Sequence, residues 1–266
     1  MKAKKFLTTV CVALFTGSIS FAADPNKVVL KIAADAVPHT EIIELVKPDL
    51  EKKGITIKLY TVIDTTLVNT QTSDGELDVN YFQHVPYMKA QVEDKRLRLA
   101  NAGDIHIEPM GIYSDKYKSI SDLPSNAKIA ICNDSTNEYR GLLLLEKAGF
   151  IRLKKSTTPY NASIRMIGKY IKPLKITELD PSLVTRVRDQ FDAYIVWSSK
   201  IIEAGIDIKK TRIFSEREDS PFANIIAVSP KRLNDPAIMV LVKALKSDKV
   251  KKFIAEKYKG AVMPAN

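Results

Sequence analysis

Cysteine and histidine are scarce in this sequence, which holds two cysteines and three histidines in 266 residues. Cys11 lies in an apolar N-terminal stretch, so a chain without that stretch keeps Cys132 alone and cannot form an intramolecular disulfide. The histidines show neither the His-Glu-x-x-His spacing nor a Cys/His zinc pattern. The sequence therefore predicts no metal site, no cofactor and a fold stabilised by burial of apolar side chains.

Motifs that carry catalysis are also missing. We find no Gly-x-Ser-x-Gly elbow, no phosphate-binding glycine-rich loop and no dinucleotide fingerprint. His106 and Glu108 alternate along a predicted strand, where a hydrogen-bonded structural histidine is commoner than a catalytic base. Glu76 and Asp78 flank a turn and make no paired-carboxylate arrangement for hydrolysis. Because nothing supplies a nucleophile with a base, we predict that the protein is not an enzyme.

The excess of basic residues gives a formal charge of +10, which falls to +7 when the three lysines near the N-terminus are removed. Lysines and acids are interspersed, as in residues 51–53 and 248–252. This pattern predicts solvated helix faces and no nucleic-acid binding, which would need a clustered basic stripe with interleaved aromatic residues. A weak attraction to an anionic membrane surface stays open.

The first 22 residues have the three parts of a secretory signal. A basic start (residues 2–5) precedes an apolar stretch (6–15), and small residues follow up to Ala22, after which we expect cleavage. Cys11 lies inside the apolar stretch and follows a threonine and a valine, where a lipoprotein signal would carry small residues. The sequence therefore predicts export to the periplasm without a lipid anchor.

From Val28 onward, short β-branched runs alternate with amphipathic stretches, which indicates an open α/β sheet. A loop at 119–124 separates two such cycles, and no long linker joins them. We therefore predict two lobes joined by crossing strands, with residues 28–114 plus 225–266 in the first and 115–224 in the second. Predicted strands of the first cycle lie at 28–34, 55–62, 77–82, 97–102 and 106–113.

Ligands of open α/β sheets bind beyond the carboxyl ends of strands, so the residues after strands are candidate site residues. Asn137 and Glu138 fall in the first turn of a predicted helix, where free N–H groups favour an anion. Arg140 lies within about one turn of that helix end and could hold a carboxylate through two hydrogen bonds. It could equally pair with Glu138 or Glu146 on the surface, and the spacing alone favours neither.

A second post-strand cluster is aromatic. Tyr81, Phe82, His84 and Tyr87 fall within seven residues. Aromatic rings around one imidazole suit an apolar or thioether side chain, because rings give large contact areas and favourable sulfur contacts. Ordinary core packing explains the same cluster, and on the residues alone it is the more common explanation.

Several stretches of the sequence resemble the NlpA/MetQ family of methionine-binding proteins, the receptors of methionine ABC importers. They run through essentially the whole chain after the signal, and the longest is Asp-Gly-Glu-Leu-Asp-Val-Asn-Tyr-Phe-Gln-His-Val-Pro-Tyr at 74–87. The other matching stretches are 37–39, 105–111, 133–140, 220–224 and 256–262.

The resemblance implies a two-lobed periplasmic-binding-protein fold that closes on a free amino acid. It implies that Arg140 binds the ligand carboxylate and that Asn224 binds the head group. It also implies that Phe82, His84 and Tyr87 surround the ligand side chain. We add His39, which lies in the matching stretch 37–39, together with Asn137 and Glu138 beside Arg140.

Two departures from the family pattern fall in the expected site. Thr65 stands where the family usually has tyrosine, and Trp197 stands where it usually has an asparagine that contacts the head group. The change at Thr65 enlarges one side of the pocket, and the change at Trp197 removes a hydrogen-bond acceptor. An unpaired ammonium in a closed cleft would cost about 1–3 kcal/mol.

We therefore predict a monomeric substrate-binding protein that captures L-methionine or a close relative. It would deliver the ligand to a membrane permease driven by a cytoplasmic ATPase. One alternative keeps the fold but binds a different amino acid or a methionine-containing dipeptide. An alternative of another class is a surface-interaction or adhesin-like protein without a transport role.

Overall fold

A computed structural model describes residues 28–62, 64–217 and 220–265. The predicted signal, residues 1–22, lies outside the described residues and stays a prediction. The strands are Val28–Asp35 (β1), Ile55–Val62 (β2), Val79–His84 (β3), Ala100–Ile107 (β4), Met110–Tyr113 (β5), Ala127–Cys132 (β6), Ile151–Leu153 (β7), Ile167–Tyr170 (β8), Leu174–Leu179 (β9), Ala193–Trp197 (β10), Arg212–Ser215 (β11), Ala223–Val228 (β12) and Met263–Pro264 (β13).

Helices connect most of these strands. A single turn at Ala36–Thr40 leads into the first, and short 3-10 turns lie elsewhere. The α-helices are Glu41–Glu51 (α1), Val68–Asp74 (α2), Val85–Lys95 (α3), Ser135–Lys147 (α4), Pro181–Val184 (α5), Ser198–Glu203 (α6), Ile208–Thr211 (α7), Pro236–Leu245 (α8) and Asp248–Tyr258 (α9). Among the described residues, no helix is both long enough and apolar enough to cross a lipid bilayer.

The strands form two main sheets. The first has the order β13-β4-β12-β3-β1-β2 and the second has the order β11-β5-β10-β6-β9. Parallel pairing of β1 with β2 and β3, and of β6 with β9 and β10, aligns strand ends at one edge of each sheet. The chain crosses between the sheets after β4 and again after β11, and β7 and β8 form a separate hairpin.

The crossing after β4 differs from the sequence-based expectation. We predicted strands at 97–102 and 106–113, whereas β4 runs from Ala100 to Ile107 and β5 begins at Met110 in the other sheet. Pro109 has no N–H for a sheet ladder, which explains why the strand cannot continue through it. The predicted lobe bounds stay a prediction, and the pairing favours a crossing near Pro109 rather than after residue 114.

Separate apolar clusters support each sheet. Helix α1 buries Ile42, Ile43, Val46 and Leu50, a helical spacing that faces one side of the first sheet. Helix α4 buries Leu142, Leu144 and Leu145 against the second sheet. Burial of each such side chain contributes about 1.5–3 kcal/mol. These clusters make the sheets firm supports for the residues that follow their strands.

Close packing of α4 on its sheet depends on one glycine. A Cβ added to Gly141 would lie 2.7 Å from Cδ1 of Ile131 and 3.3 Å from Cγ2 of Ile195. Only glycine therefore lets the helix approach the sheet at this distance. Because Gly141 directly follows Arg140, this packing also fixes the position of that arginine.

Candidate ligand-binding site

A cavity of about 540 Å³ lies between the two sheets, within the size range of small-molecule sites. It is bounded by the ends of β3 and β10 and by the starts of α4 and β12. Eight of the ten predicted site residues line it, namely Thr65, Phe82, His84, Tyr87, Asn137, Arg140, Trp197 and Asn224.

Arg140 is held in the cavity wall by the N-terminal turn of α4. Asp134 caps this helix by accepting a 3.0 Å hydrogen bond from the backbone N–H of Asn137. The Arg140 side chain is only 3% exposed, and its guanidinium carbon lies 4.5 Å from the ring centroid of Phe222. This stacking orients the flat face of the guanidinium group.

A buried carboxylate neutralises Arg140. Glu216 accepts hydrogen bonds from Nε at 3.0 Å and from Nη2 at 2.8 Å, and Nη2 also donates to the backbone carbonyl of Glu108 at 3.0 Å. Burial acts to raise the pKa of Glu216, but the charge of Arg140 outweighs it, so this pKa lies below its ordinary value. Neither Glu138 nor Glu146 pairs with Arg140, so that surface alternative is wrong.

The remaining guanidinium nitrogen is the one available to a ligand. Nη1 makes only a long 3.4 Å contact with Oδ1 of Asn137. A ligand carboxylate at this nitrogen would gain a charge-assisted hydrogen bond inside a largely desolvated site. Arg140 can therefore bind an anion while its other edge stays committed to Glu216.

His84 connects the two sides of the cavity. Its Nδ1 accepts a hydrogen bond from the backbone N–H of Tyr87 at 3.1 Å and caps α3. We therefore assign the proton to Nε2, which donates to Oδ1 of Asn137 at 3.1 Å. Burial and then the charge of Arg140 lower the pKa of His84 to about 3, so the ring is neutral at physiological pH.

Aromatic rings form the wall beside His84. The ring centroids of Phe82 and Tyr87 lie 6.1 Å apart, and those of His84 and Phe222 lie 5.2 Å apart, in edge-to-face arrangements. Burial and then the nearby carboxylate of Asp134 raise the pKa of Tyr87 to about 12, so its hydroxyl stays protonated. This wall is neutral and offers contact area for an apolar or sulfur-containing side chain.

Asn224 is oriented by His39, which lies behind the cavity rather than in its wall. Nε2 of His39 lies 3.1 Å from Oδ1 of Asn224, and His39 is fully buried. With Nε2 as the donor, the amide oxygen of Asn224 is occupied and its NH2 group is available to a ligand. The predicted ligand contact of His39 is therefore indirect, because its side chain positions Asn224.

A buried network continues behind His39. Nε2 of His106 lies 2.8 Å from Oε1 of Glu108, and Ser199 donates to Oε2 of Glu108 at 2.6 Å. His39, His106 and Glu108 bring their ligand atoms within 4.8 Å of one another, as a metal site would. However, the Tyr81 hydroxyl lies at Nδ1 of His106, so both ring nitrogens are hydrogen-bonded. Hydrogen bonds thus engage both nitrogens of His106 and both oxygens of Glu108, whereas Nδ1 of His39 has no partner among the described residues.

Glu138 lies away from the cavity, which corrects its predicted ligand contact. Its side chain is buried beside Glu178, and its Oε1 has no hydrogen-bond partner among the described residues. Burial and then the neighbouring Glu178 raise the pKa of Glu138 to about 9. The side chain of Glu138 lies on the opposite side of α4 from that of Arg140, because residues two positions apart on a helix do not share a face. Its place in the first helical turn does not by itself show which side it faces.

The two departures from the family pattern do line the cavity. Trp197 ends β10, and its ring lies 5.9 Å from Nζ of Lys200 one turn later on α6. Lys200 forms ion pairs with Asp35 at 3.2 Å and with Glu203 at 2.8 Å. Burial acts to lower the pKa of Lys200, but Asp35 and Glu203 outweigh it and raise this pKa. Lys200 is therefore a cation next to the indole ring of Trp197.

Sequence reasoning missed much of the cavity wall. Glu216 lies outside the wall but orients Arg140 from 76 residues along the chain, and no local pattern signals such a partner. Asp180 follows β9 directly, so the rule that sites follow strands could have found it. The wall residues that we did not place in the site are Asp35, Asp64, Thr66, Gln83, Glu108, Asn133, Asp134, Asp180, Pro181, Ser182, Arg186 and Lys200.

Comparison with known proteins agrees with this geometry. Residues 30–266 match the family described as NlpA lipoprotein. The chain belongs to this family. The methionine-binding lipoprotein MetQ of Bacillus subtilis is 36% identical over 248 residues, which cover 92% of this chain and 90% of that protein. That protein is thus matched over nearly its full length.

Solved structures of NlpA-like proteins have the same fold. A nutrient-binding protein from Burkholderia cenocepacia bound to methionine is 38% identical with a TM-score of 0.85, covering 89% of this chain and all of that one. Lipoprotein Tp32 from Treponema pallidum is 30% identical with a TM-score of 0.86, covering 89% and 99%. The predicted family and the predicted α/β periplasmic-binding-protein fold are confirmed. The family is one of substrate-binding proteins rather than enzymes.

The family also corrects the predicted location. We expected a freely diffusing periplasmic protein without a lipid anchor, because the residues before Cys11 do not resemble a lipoprotein signal. The matching family is one of lipoproteins, and the relatives are named lipoproteins, so that expectation is wrong. The residues that precede Cys11, which lies outside the described residues, are too weak a basis for excluding membrane attachment.

Proposed function

We propose that this protein is the substrate-binding component of an ABC importer and captures methionine or a closely related amino acid. The observation that carries the proposal is that Asn224 and the buried Arg140, whose Nη1 makes only a long 3.4 Å contact with Asn137, line the same cavity. These two groups would bind the α-carboxylate. The ligand side chain would pack against Phe82, Tyr87 and the neutral ring of His84.

Lobe closure is the mechanism that fits a cavity between two sheets. Arg140 lies on α4, the helix after β6 of the second sheet, whereas Asn224 is the second residue of β12 in the first. A ligand held by both groups stabilises the closed arrangement by contacts that an open arrangement lacks. The closed protein, acting as a monomer and without chemical turnover of the ligand, would then dock on a membrane permease.

Isothermal titration of ligand-free protein with L-methionine tests this proposal. We expect Asn224→Ala to weaken binding at least about tenfold, or roughly 1.4 kcal/mol. Arg140→Lys should weaken it too, whereas Arg188→Ala, at an exposed arginine paired with Asp115, should leave it unchanged. Methionine binding no tighter than about 100 µM would contradict the ligand. Binding of every ligand unaffected by the Arg140 variant would favour the adhesin-like class.

A methionine-containing dipeptide is a second candidate, favoured by the far side of the cavity. Asp180, Ser182 and Arg186 line that side, and no ion pair of Arg186 occurs among the described residues. A second residue of a peptide ligand could pair there with the carboxylate of Asp180 or with the guanidinium group of Arg186. Competition titration decides: a dipeptide should displace methionine at lower concentration, and Arg186→Gln should weaken the dipeptide alone.

A further inference from the structure

One segment of the second lobe carries positive charge only. The whole chain has 31 acidic residues in 266, yet residues 147–177 contain none. The interspersion of acids and lysines seen in residues 51–53 and 248–252 does not extend to this segment. Its eight cations, called the basic patch below, are Lys147, Arg152, Lys154, Lys155, Arg165, Lys169, Lys172 and Lys175.

Strand pairing concentrates these charges. Strands β7 and β8 form an antiparallel hairpin in which Arg152 lies directly opposite Lys169. Next to it in the chain is β9, an edge strand of the second sheet, in which Lys175 pairs with Lys128 of β6. Like charges directly opposite each other destabilise a sheet. The two pairs place like charges opposite each other both in the hairpin and at the edge of the second sheet.

Carboxylates of the described residues do not neutralise the basic patch. No ion pair joins any of its cations to an acid in the part of the chain that the structure describes. The nearest acid in sequence, Glu146, accepts a 2.9 Å hydrogen bond from the backbone of Leu153 instead. Lys154 donates to a backbone carbonyl, that of Arg165, at 2.8 Å. By contrast, lysines elsewhere have acidic partners, as Lys249 has Asp49.

Exposed aromatic and aliphatic side chains lie within the same segment. Tyr160, Tyr170 and Ile171 are 48%, 44% and 49% exposed. Tyrosine is favoured at membrane–water interfaces, where its ring contacts the acyl boundary and its hydroxyl stays hydrated. Cations next to such residues match the chemistry of an anionic lipid surface, because each lysine or arginine near that surface adds to the attraction.

We propose that the basic patch rests on an anionic phospholipid surface. Charge complementarity and the exposed tyrosines carry the assignment. Membership in a family of lipoproteins places lipid headgroups within reach of the chain. None of the patch residues lines the ligand cavity, so this contact is separate from ligand capture. A protein held in this way would present its second lobe to the membrane while the cavity stays free.

Vesicle co-sedimentation tests the proposal. The full chain, made by cell-free translation without lipid so that no acyl group is attached, is mixed with neutral phosphatidylcholine vesicles. It is also mixed with vesicles containing about 30 mol% phosphatidylglycerol. We expect binding to the anionic vesicles to exceed binding to the neutral ones at least about tenfold and to fall sharply in roughly 0.5 M salt. The neutral vesicles report any binding by the apolar N-terminal residues.

A charge-matched pair of variants isolates the patch. Arg152→Gln, Lys155→Gln, Lys169→Gln and Lys175→Gln combined should remove the preference for anionic vesicles. The control combines Lys209→Gln, Lys210→Gln, Lys251→Gln and Lys252→Gln at exposed positions on α7 and α9, and should keep it. Equal losses in both variants would overturn the proposal, because net charge alone would explain them. Tighter binding to a single-stranded oligonucleotide than to anionic vesicles would overturn it in favour of a nucleic-acid surface.

Discussion

Glu216 binds the Nε and Nη2 edge of Arg140 from behind the cavity wall, at 3.0 and 2.8 Å. Glu216 also accepts a 3.0 Å hydrogen bond from the backbone N–H of Met110 and a 3.1 Å hydrogen bond from Ser220. It therefore ties the arginine to both chain crossings between the sheets. The arrangement leaves one guanidinium nitrogen for a ligand and fixes its direction.

Removing this carboxylate should cost far more than removing an exposed one. Glu216→Ala leaves the Arg140 charge buried without its partner, which typically costs about 3–5 kcal/mol. Asp115→Ala, which breaks the exposed pair with Arg188, should cost less than about 1 kcal/mol. Urea denaturation measures both. Similar losses in the two variants would contradict the structural role assigned to Glu216.

Restoring an acceptor at position 197 should tighten binding of free amino acids. Trp197→Asn supplies an amide oxygen for the ligand ammonium, and we expect a gain of about 1–3 kcal/mol for methionine in calorimetric titration. N-acetylmethionine has no ammonium group and serves as the matched ligand, so its affinity should not rise. An equal gain for both ligands would mean that space, and not the acceptor, limits binding.

Periodicity predicted the elements that are regular along the chain. The strand at 55–62 and the leucine-rich helix after Cys132 follow from β-branched runs and from a buried helical face. The hairpin of β7 and β8 was missed, because its strands are only three and four residues long. Alternation over so few residues does not distinguish a strand from a loop, so local pattern carries the information only in longer elements.

The site was predictable to a similar degree. His84 ends β3 and caps α3, Arg140 lies in the helix that follows β6, and Asn224 lies at the start of β12. The cavity brings the three together. Lys200 lies within a helix and Glu216 follows an edge strand, so nothing in their local sequence distinguishes them from solvated charges. Their roles depend on partners far along the chain, such as Asp35 for Lys200, and only the folded arrangement reveals those partners.

Stability should fall in mild acid because of buried neutral histidines. The pKa of His84 falls from 6.5 to about 3 on folding, so the unfolded chain binds a proton that the folded chain does not. The free energy of unfolding is therefore lost as pH falls from 6.5 towards 3, by up to about 1.4 kcal/mol per pH unit. Burial also lowers the pKa of His106 to about 3, so His106 adds a second loss of unfolding free energy over the same pH range.

Denaturant titration of His84→Gln between pH 4 and pH 7 isolates the contribution of His84. The glutamine does not titrate, so the variant should lose less stability per pH unit than the wild-type protein. Titrating carboxylates contribute to both curves, and the difference between the curves reports His84 alone. Parallel curves would show that His84 is protonated in the folded protein, against its assignment as a neutral donor to Asn137.

Glu138 should have the opposite pH dependence. Its folded pKa of about 9 lies above the ordinary value of 4.5, so the folded state holds a proton that the unfolded state releases. The corresponding stability is fully present below pH 4.5 and is lost as pH rises towards 9. Glu138→Gln, neutral at every pH, should therefore match the wild-type protein at pH 4 and exceed it increasingly towards pH 8, by up to about 1.4 kcal/mol per pH unit above pH 4.5. Glu256→Gln, at an exposed site on α9, should show no such difference, and a Glu138 variant less stable at pH 8 would mean that the carboxylate is ionised and bound by a partner.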